Sequence, residues 1–246
     1  MTKKPNDQSG PGDAPVNRAS KRETPLRSLK RQAKHLFRRA RSTADVFTRI
    51  YSGKRWSGQE SVSGPGSDKA ETRVLVQKLP PLLREIKVRS ILDAPCGDLF
   101  WMRDLDLDGI EYTGIDIVSD LIEDNQKRFA SSAYRFLCSD LICDPLPRVD
   151  LILCRDCLVH LSYEDAFAAL RNMQASRSMW LLTTTFAGQD MNRDVATGGW
   201  RTLNLERQPF DFPGPSALLD EECPHQDGAY RDKMLGLWRL PELELK

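Results

Sequence analysis

Ile91-Leu92-Asp93-Ala94-Pro95-Cys96-Gly97-Asp98 is the stretch on which the fold turns. The run Val88–Leu92 is short, with Val88, Ile91 and Leu92 apolar, so it reads as a strand, and an acid with small residues ends it. Downstream the pattern repeats. Strands are expected at Tyr112–Asp116, Tyr134–Leu137, Val149–Leu153 and Trp180–Thr185. Helices are expected between them at Phe100–Arg103, Ser119–Phe129 and Tyr163–Gln174. Leu235–Leu240 reads as a final strand. Alternating strands and helices, with nearly continuous apolar strands, imply a parallel sheet covered on both faces. The fold class is therefore α/β: a doubly wound, Rossmann-like sheet, mostly parallel, with an antiparallel edge strand. Such sheets bind ligands beyond the carboxyl ends of their strands, where the strand order reverses.

The residues at those ends carry the chemistry. A dinucleotide-binding turn would present G-x-G-x-x-G after the first strand, to pack glycines against a pyrophosphate. That pattern is absent. Asp93 stands there instead, repelling a diphosphate and favouring a cation, while Ala94 and Gly97 let a ligand approach the backbone. The second strand ends at Asp116-Ile117, 23 residues beyond Asp93, close to the spacing at which an acid meets ribose hydroxyls. The third ends at Ser139-Asp140-Leu141. Acids after three successive strands are hard to explain as solvated charge.

These motifs resemble those of the class I S-adenosylmethionine-dependent methyltransferases, over about Arg73 to Lys246. ILDAPCGD stands for the glycine-rich first motif, YTGIDIV for the second, CSDL for the third and VDLILCRDCLVHLS for the fourth. The first motif departs from the usual D-x-G-x-G-x-G, keeping one of its glycines. Its DAPCGD form, together with Trp56 and Gly64-Pro65-Gly66-Ser67, resembles a bacterial subgroup whose acceptors are mostly unassigned. The resemblance implies S-adenosylmethionine as cofactor, whose sulfonium and ammonium suit Asp93. It implies that Asp93 and Gly97 line the methionine moiety, that Asp116 holds the ribose and that Asp140 meets the adenine amine. Ala94, Pro95, Cys96, Ile117, Leu141, Cys154 and Arg155 are expected around the same cofactor.

His160, just after the fourth strand, is the candidate general base, since an imidazole titrates near 6.5. The competing reading makes it a structural residue at a helix start. Trp56, Arg155, Asn192, Trp200, Arg201 and Asn204 are the expected acceptor-side residues, the last four on a long polar loop or its edge after the fifth strand. The acceptor is expected to be a small molecule or saccharide, methylated on oxygen. No metal is expected: Cys154-Arg-Asp-Cys157 has no second pair to close a site.

Charge divides the 246 residues unevenly. Residues 1–55 hold 15 Lys and Arg against 4 Asp and Glu, leaving 21 basic and 31 acidic residues in the remainder. Residues 1–25 read as a disordered basic tail. Residues 26–50 read as a basic amphipathic helix, with Leu26, Leu29, Ala33, Leu36, Ala40, Ala44, Phe47 and Ile50 on one stripe. That stripe docks on the chain's own domain or meets an anionic membrane surface. Residues 51–80 read as a lid loop and a helix from Asp68, capped by Ser67 and stopped by Pro80-Pro81; residues 81–246 complete the domain. With no apolar leader and no membrane span, the expected location is cytoplasmic, with peripheral contact at the inner face of the membrane. An RNA methyltransferase anchored by the basic arm is the alternative, against which stands the acidic body.

Overall fold

The computed structural model describes Met1, residues 43–224 and residues 228–245. The expected tail apart from Met1, and residues 26–42 of the expected amphipathic helix, lie outside them. The described residues from 43 onward belong to one compact unit. Within it α1 (43–52) precedes α2 (Lys69–Glu85), β1 (Ser90–Asp93), β2 (Glu111–Asp116) and α3 (Ser119–Phe129). Then come β3 (Tyr134–Cys138), β4 (Leu151–Cys154), α4 (Tyr163–Ala175), β5 (Trp180–Phe186), β6 (Ala217–Asp220) and β7 (Lys233–Arg239). Among the described residues no helix is long and apolar enough to cross a membrane.

The seven strands order as β3-β2-β1-β4-β5-β7-β6. β1 to β5 run parallel, and β7 pairs antiparallel with both β5 and β6. The expected final strand is thus one place in from the edge. β6 covers it, a strand too short and too mixed in sequence to be recognised beforehand.

Neighbouring residues on a strand point to opposite faces, and the core divides accordingly. Leu92, Ile152 and Leu181 join one cluster with Ala166, Ala169, Leu170 and Met173 of α4. Ile91, Leu151, Leu153 and Leu182 join the other with Leu75, Leu79 and Leu83 of α2. Both faces are buried, which is why these strands read as unbroken apolar runs rather than alternating ones.

Two local expectations are corrected. α2 continues through Pro80 and Pro81 to Glu85. Each proline removes an intrahelical hydrogen bond at a cost of about 3 kcal/mol, but Leu82 and Leu83 are both buried by continuing, each contributing about 1.5–3 kcal/mol. The cap of α2 is Asp68 rather than Ser67, and its side chain caps nothing. The segment after β1 forms only a 3-10 turn at Met102–Asp104 in place of a helix over Phe100–Arg103. Leu105 takes extended backbone and ends the turn, while Trp101, Met102, Leu105 and Leu107 are all buried there.

Candidate active site

Strand order reverses between β1 and β4, and one cavity of about 500 Å³ opens above their carboxyl ends. This lies in the range of small-molecule sites. Asp93, Asp116 and Asp140 all line it, each less than a tenth exposed. Asp93 accepts a hydrogen bond from the Tyr112 hydroxyl at 2.6 Å. Burial pushes its carboxyl up to about 7; the Tyr112 bond works against that shift and the neighbouring Asp116 adds to it. Burial likewise raises Asp116 to about 6, against the backbone N–H groups it accepts from Val118 at 2.9 Å and Gly97 at 3.2 Å. Asp140 accepts from the Ile142 N–H at 2.8 Å through Oδ1. Its Oδ2 is buried and receives no N–H or O–H donor, with the weak Cys143 thiol beside it. Three desolvated carboxyl groups around one space favour a ligand that brings positive charge and hydrogen-bond donors.

Pro95, Cys96, Gly97, Ile117, Leu141 and Arg155 share the lining with these acids. Ala94 and Cys154 do not: both are wholly buried in the α4-side core, because adjacent strand residues face opposite ways. Gly97 has a φ of 53°, and a Cβ there would collide with the Ser63 hydroxyl. The one glycine kept from the usual motif therefore sits where a side chain is excluded.

Residues 57–67 wall the cavity through hydrogen bonds to two acids. Asp68 accepts from the N–H groups of Gln59, Glu60 and Ser61 at 2.9, 3.0 and 2.9 Å. Asp98 accepts from the Ser61 hydroxyl at 2.9 Å, the Val62 N–H at 2.9 Å and the Ser63 hydroxyl at 3.0 Å. These contacts fix Val62, Ser63 and Gly64 in the cavity wall. Sequence reasoning missed both acids; Asp98 stood inside the deciding stretch, but its partners lie 35–37 residues upstream. On the same rim, α1 turns Thr43, Phe47 and Ile50 to the cavity. The described end of the amphipathic stripe thus docks on the chain itself.

His160 ends a 3-10 turn, Leu158–His160, just after β4. Its Nδ1 lies 2.7 Å from the Gly199 carbonyl oxygen. A carbonyl cannot donate, so Nδ1 carries the proton and Nε2 of the neutral ring has a free lone pair. Burial lowers the imidazole below its ordinary 6.5, only partly offset by the Gly199 contact and Asp156. The ring stacks on Trp56, with centroids 4.1 Å apart and planes at 29°.

Beside it Asp156, at φ 50°, accepts from Lys233 Nζ at 2.6 Å and pairs with Arg155 at 3.3 Å. Burial alone would raise the Asp156 carboxyl, but Lys233 and Arg155 hold it below the ordinary carboxylate range. Arg155 also gives two hydrogen bonds to the buried Glu221, at 3.2 and 2.7 Å. Lys233 reaches the same Glu221 Oε2 at 3.4 Å, while Glu221 Oε1 is buried without a partner. Asp156 and Lys233 are 77 residues apart, a separation no local pattern bridges.

The acceptor-side expectations divide. Trp56, Arg155 and Trp200 line the cavity. Asn192, Arg201 and Asn204 do not line it, which corrects the expectation. Asn192 donates to the carbonyls of Asn204 and Gln208 at 2.7 and 2.9 Å. Asn204 donates to those of Ala187 and Gln189 at 3.3 and 2.9 Å. Arg201 Nη1 reaches the carbonyls of Leu158, Val159 and Leu161. A long loop without ladder partners must satisfy its own backbone, and Asn192 and Asn204 do so, while Arg201 ties the loop to the turn after β4.

Residues 91–177 match the model of a methyltransferase domain family. None of the curated proteins matches the chain in sequence. Among solved structures, 1,6-didemethyltoxoflavin-N1-methyltransferase of Burkholderia thailandensis superposes with a TM-score of 0.56 at 17% identity, covering 93% of each chain. Human N-acetylserotonin methyltransferase superposes with a TM-score of 0.54 at 14% identity, over 79% of this chain and 58% of its own. The chain therefore spans less than two thirds of that enzyme, and at these identities the likeness is one of fold. Residues 91–177 thus match a methyltransferase-domain model, and the chain shares its fold with these two methyltransferases.

Proposed function

We propose that the protein transfers a methyl group from S-adenosylmethionine to an oxygen of a small-molecule acceptor, with His160 as general base. The observation that carries this reading is the trio of buried acids, Asp93, Asp116 and Asp140, around one cavity at the strand ends. Their chemistry fits the cofactor. Asp93 suits its positive charge, Asp116 keeps lone pairs for ribose hydroxyls, and the unmatched Asp140 Oδ2 suits an adenine amine. When bound, S-adenosylmethionine supplies an electrophilic methyl group on a cationic sulfur.

The chain's own residues supply the rest. His160 Nε2 takes the acceptor proton, and the Gly199 carbonyl fixes the tautomer that leaves Nε2 free. A lowered pKa keeps the ring unprotonated at neutral pH, as a base requires. The Trp56 stack holds the ring in place and keeps water from one of its faces. The Burkholderia neighbour was solved with 1,6-didemethyltoxoflavin and S-adenosylhomocysteine bound, which agrees with a small acceptor beside this cofactor.

Isothermal calorimetry with S-adenosylmethionine and, separately, with NADH tests the reading. Binding of the former in the micromolar range, about −8 kcal/mol, and none of the latter is expected. No heat with S-adenosylmethionine, or tighter binding of NADH, overturns it.

A further inference from the structure

Beyond the three acids the cavity changes character. Trp56 lies on His160, and Phe47 meets the edge of Trp56 with centroids 5.7 Å apart. Phe186, Trp200 and Tyr230 form a second aromatic group, mutually edge-on at 5.2–6.3 Å. All of these residues line the same cavity. Trp200 is 45% exposed, so part of its ring is open to a bound molecule.

The buried charged side chains beside His160 are committed to one another. Asp156, Lys233, Arg155 and Glu221 neutralise one another, so neither Arg155 nor Lys233 is left to counter an anionic acceptor. Asn192, Asn204 and Arg201, which would suit a polyhydroxylated sugar, are bonded to backbone carbonyls away from the cavity. A sugar buried here would leave hydroxyls unmatched, at about 1–3 kcal/mol each. A flat ring would gain stacking and edge contacts with the aromatic walls instead. His160 Nε2 can receive one proton, which a single ring hydroxyl supplies.

We propose that the acceptor is an uncharged aromatic or heteroaromatic ring bearing the hydroxyl to be methylated, held between Trp56 and the Phe186–Trp200–Tyr230 group. The inference rests on the methyltransferase reading above and narrows it from small molecules in general. It also assigns acceptor binding to Phe47, Phe186 and Tyr230, which no strand-end motif marks.

The test titrates full-length protein, saturated with S-adenosylhomocysteine, with 2-naphthol, methyl α-glucopyranoside and phenyl phosphate by calorimetry. 2-Naphthol should bind at least about tenfold more tightly than either competitor. Trp200→Ala should weaken 2-naphthol by roughly tenfold through lost aromatic contact while leaving S-adenosylhomocysteine affinity unchanged, and Trp200→Phe should restore most of the loss. Tighter binding of the glucoside or the phosphate, or equal 2-naphthol affinity in wild type and Trp200→Ala, overturns the inference. If S-adenosylhomocysteine binds and 2-naphthol does not, this inference alone fails. If S-adenosylhomocysteine itself does not bind, both readings fail.

Discussion

Replacing Asp68 by Ala separates the order of the cavity wall from direct contact with a ligand. Asp68 is not among the residues lining the main cavity, yet its carboxylate holds the N–H groups of Gln59, Glu60 and Ser61. A hydrogen bond to a charged group contributes about 1.5–3 kcal/mol. The three N–H groups share one carboxylate, and water can reach those of the exposed Gln59 and Glu60. The net loss is therefore well short of three full bonds, about 2–4 kcal/mol. That loss falls on residues 57–64, because Asp68 caps nothing at the start of α2. Amide exchange in 57–64 should accelerate by roughly 30- to 1,000-fold, which is that free energy expressed as a ratio. Affinity for S-adenosylhomocysteine should fall about tenfold, or about 1.4 kcal/mol, since Val62 and Ser63 are then held in the wall by Asp98 alone. Exchange in α4 and β5 should not change. Asp68→Asn, which keeps one acceptor oxygen, should fall between wild type and Asp68→Ala. Hydrogen exchange by mass spectrometry and calorimetry read both effects. Wild-type exchange over 57–64 together with wild-type affinity would refute the argument that Asp68 builds the wall.

Four further outcomes are expected. Asp116→Ala should weaken S-adenosylhomocysteine by about 1–3 kcal/mol, read by calorimetry. Because folded Asp93 and Asp116 titrate near 7 and 6, above the unfolded value of about 3.9, the ligand-free fold holds extra protons and these two groups withdraw stability as pH rises from about 4 towards 7. A cationic cofactor should therefore expel protons on binding at about pH 6, seen as a buffer-dependent binding enthalpy that Asp93→Asn diminishes. His160→Gln should lower turnover by about 10²–10⁴-fold with S-adenosylhomocysteine affinity unchanged; wild-type turnover would return His160 to a structural role. The basic arm should carry the protein to anionic vesicles at low salt, an attraction weakened by added salt. The truncation that checks this must end at residue 42, since Thr43 and Phe47 line the cavity.

The sheet was legible because its strands are buried on both faces and their acids fall at strand ends. α3 runs Ser119–Phe129 as its pattern predicts, and Asp93, Asp116 and Asp140 converge because strand order brings successive carboxyl ends together. Side-chain commitment was not legible. Asn192, Arg201 and Asn204 look like ligand-binding residues in sequence, but Asn192 and Asn204 serve the long loop's own carbonyls and Arg201 those of the turn after β4. Arg155 does face the cavity, with its guanidinium taken up by Glu221, 66 residues away. The two prolines of α2 obey the local rule for a stop until the burial of Leu82 and Leu83 is weighed against it. Asp68 and Asp98 were missed because their partners are backbone amides and serine hydroxyls, which carry no pattern in sequence.

The central claim, that three buried acids form a cofactor site, is tested most directly by a crystal structure of the full-length protein grown with S-adenosylhomocysteine. The account predicts the amino-acid end of the ligand beside Asp93 and Gly97, ribose hydroxyls on Asp116 and an adenine amine donating to Asp140 Oδ2. A ligand seated elsewhere, or one in this cavity with its adenine turned away from Asp140, would contradict it.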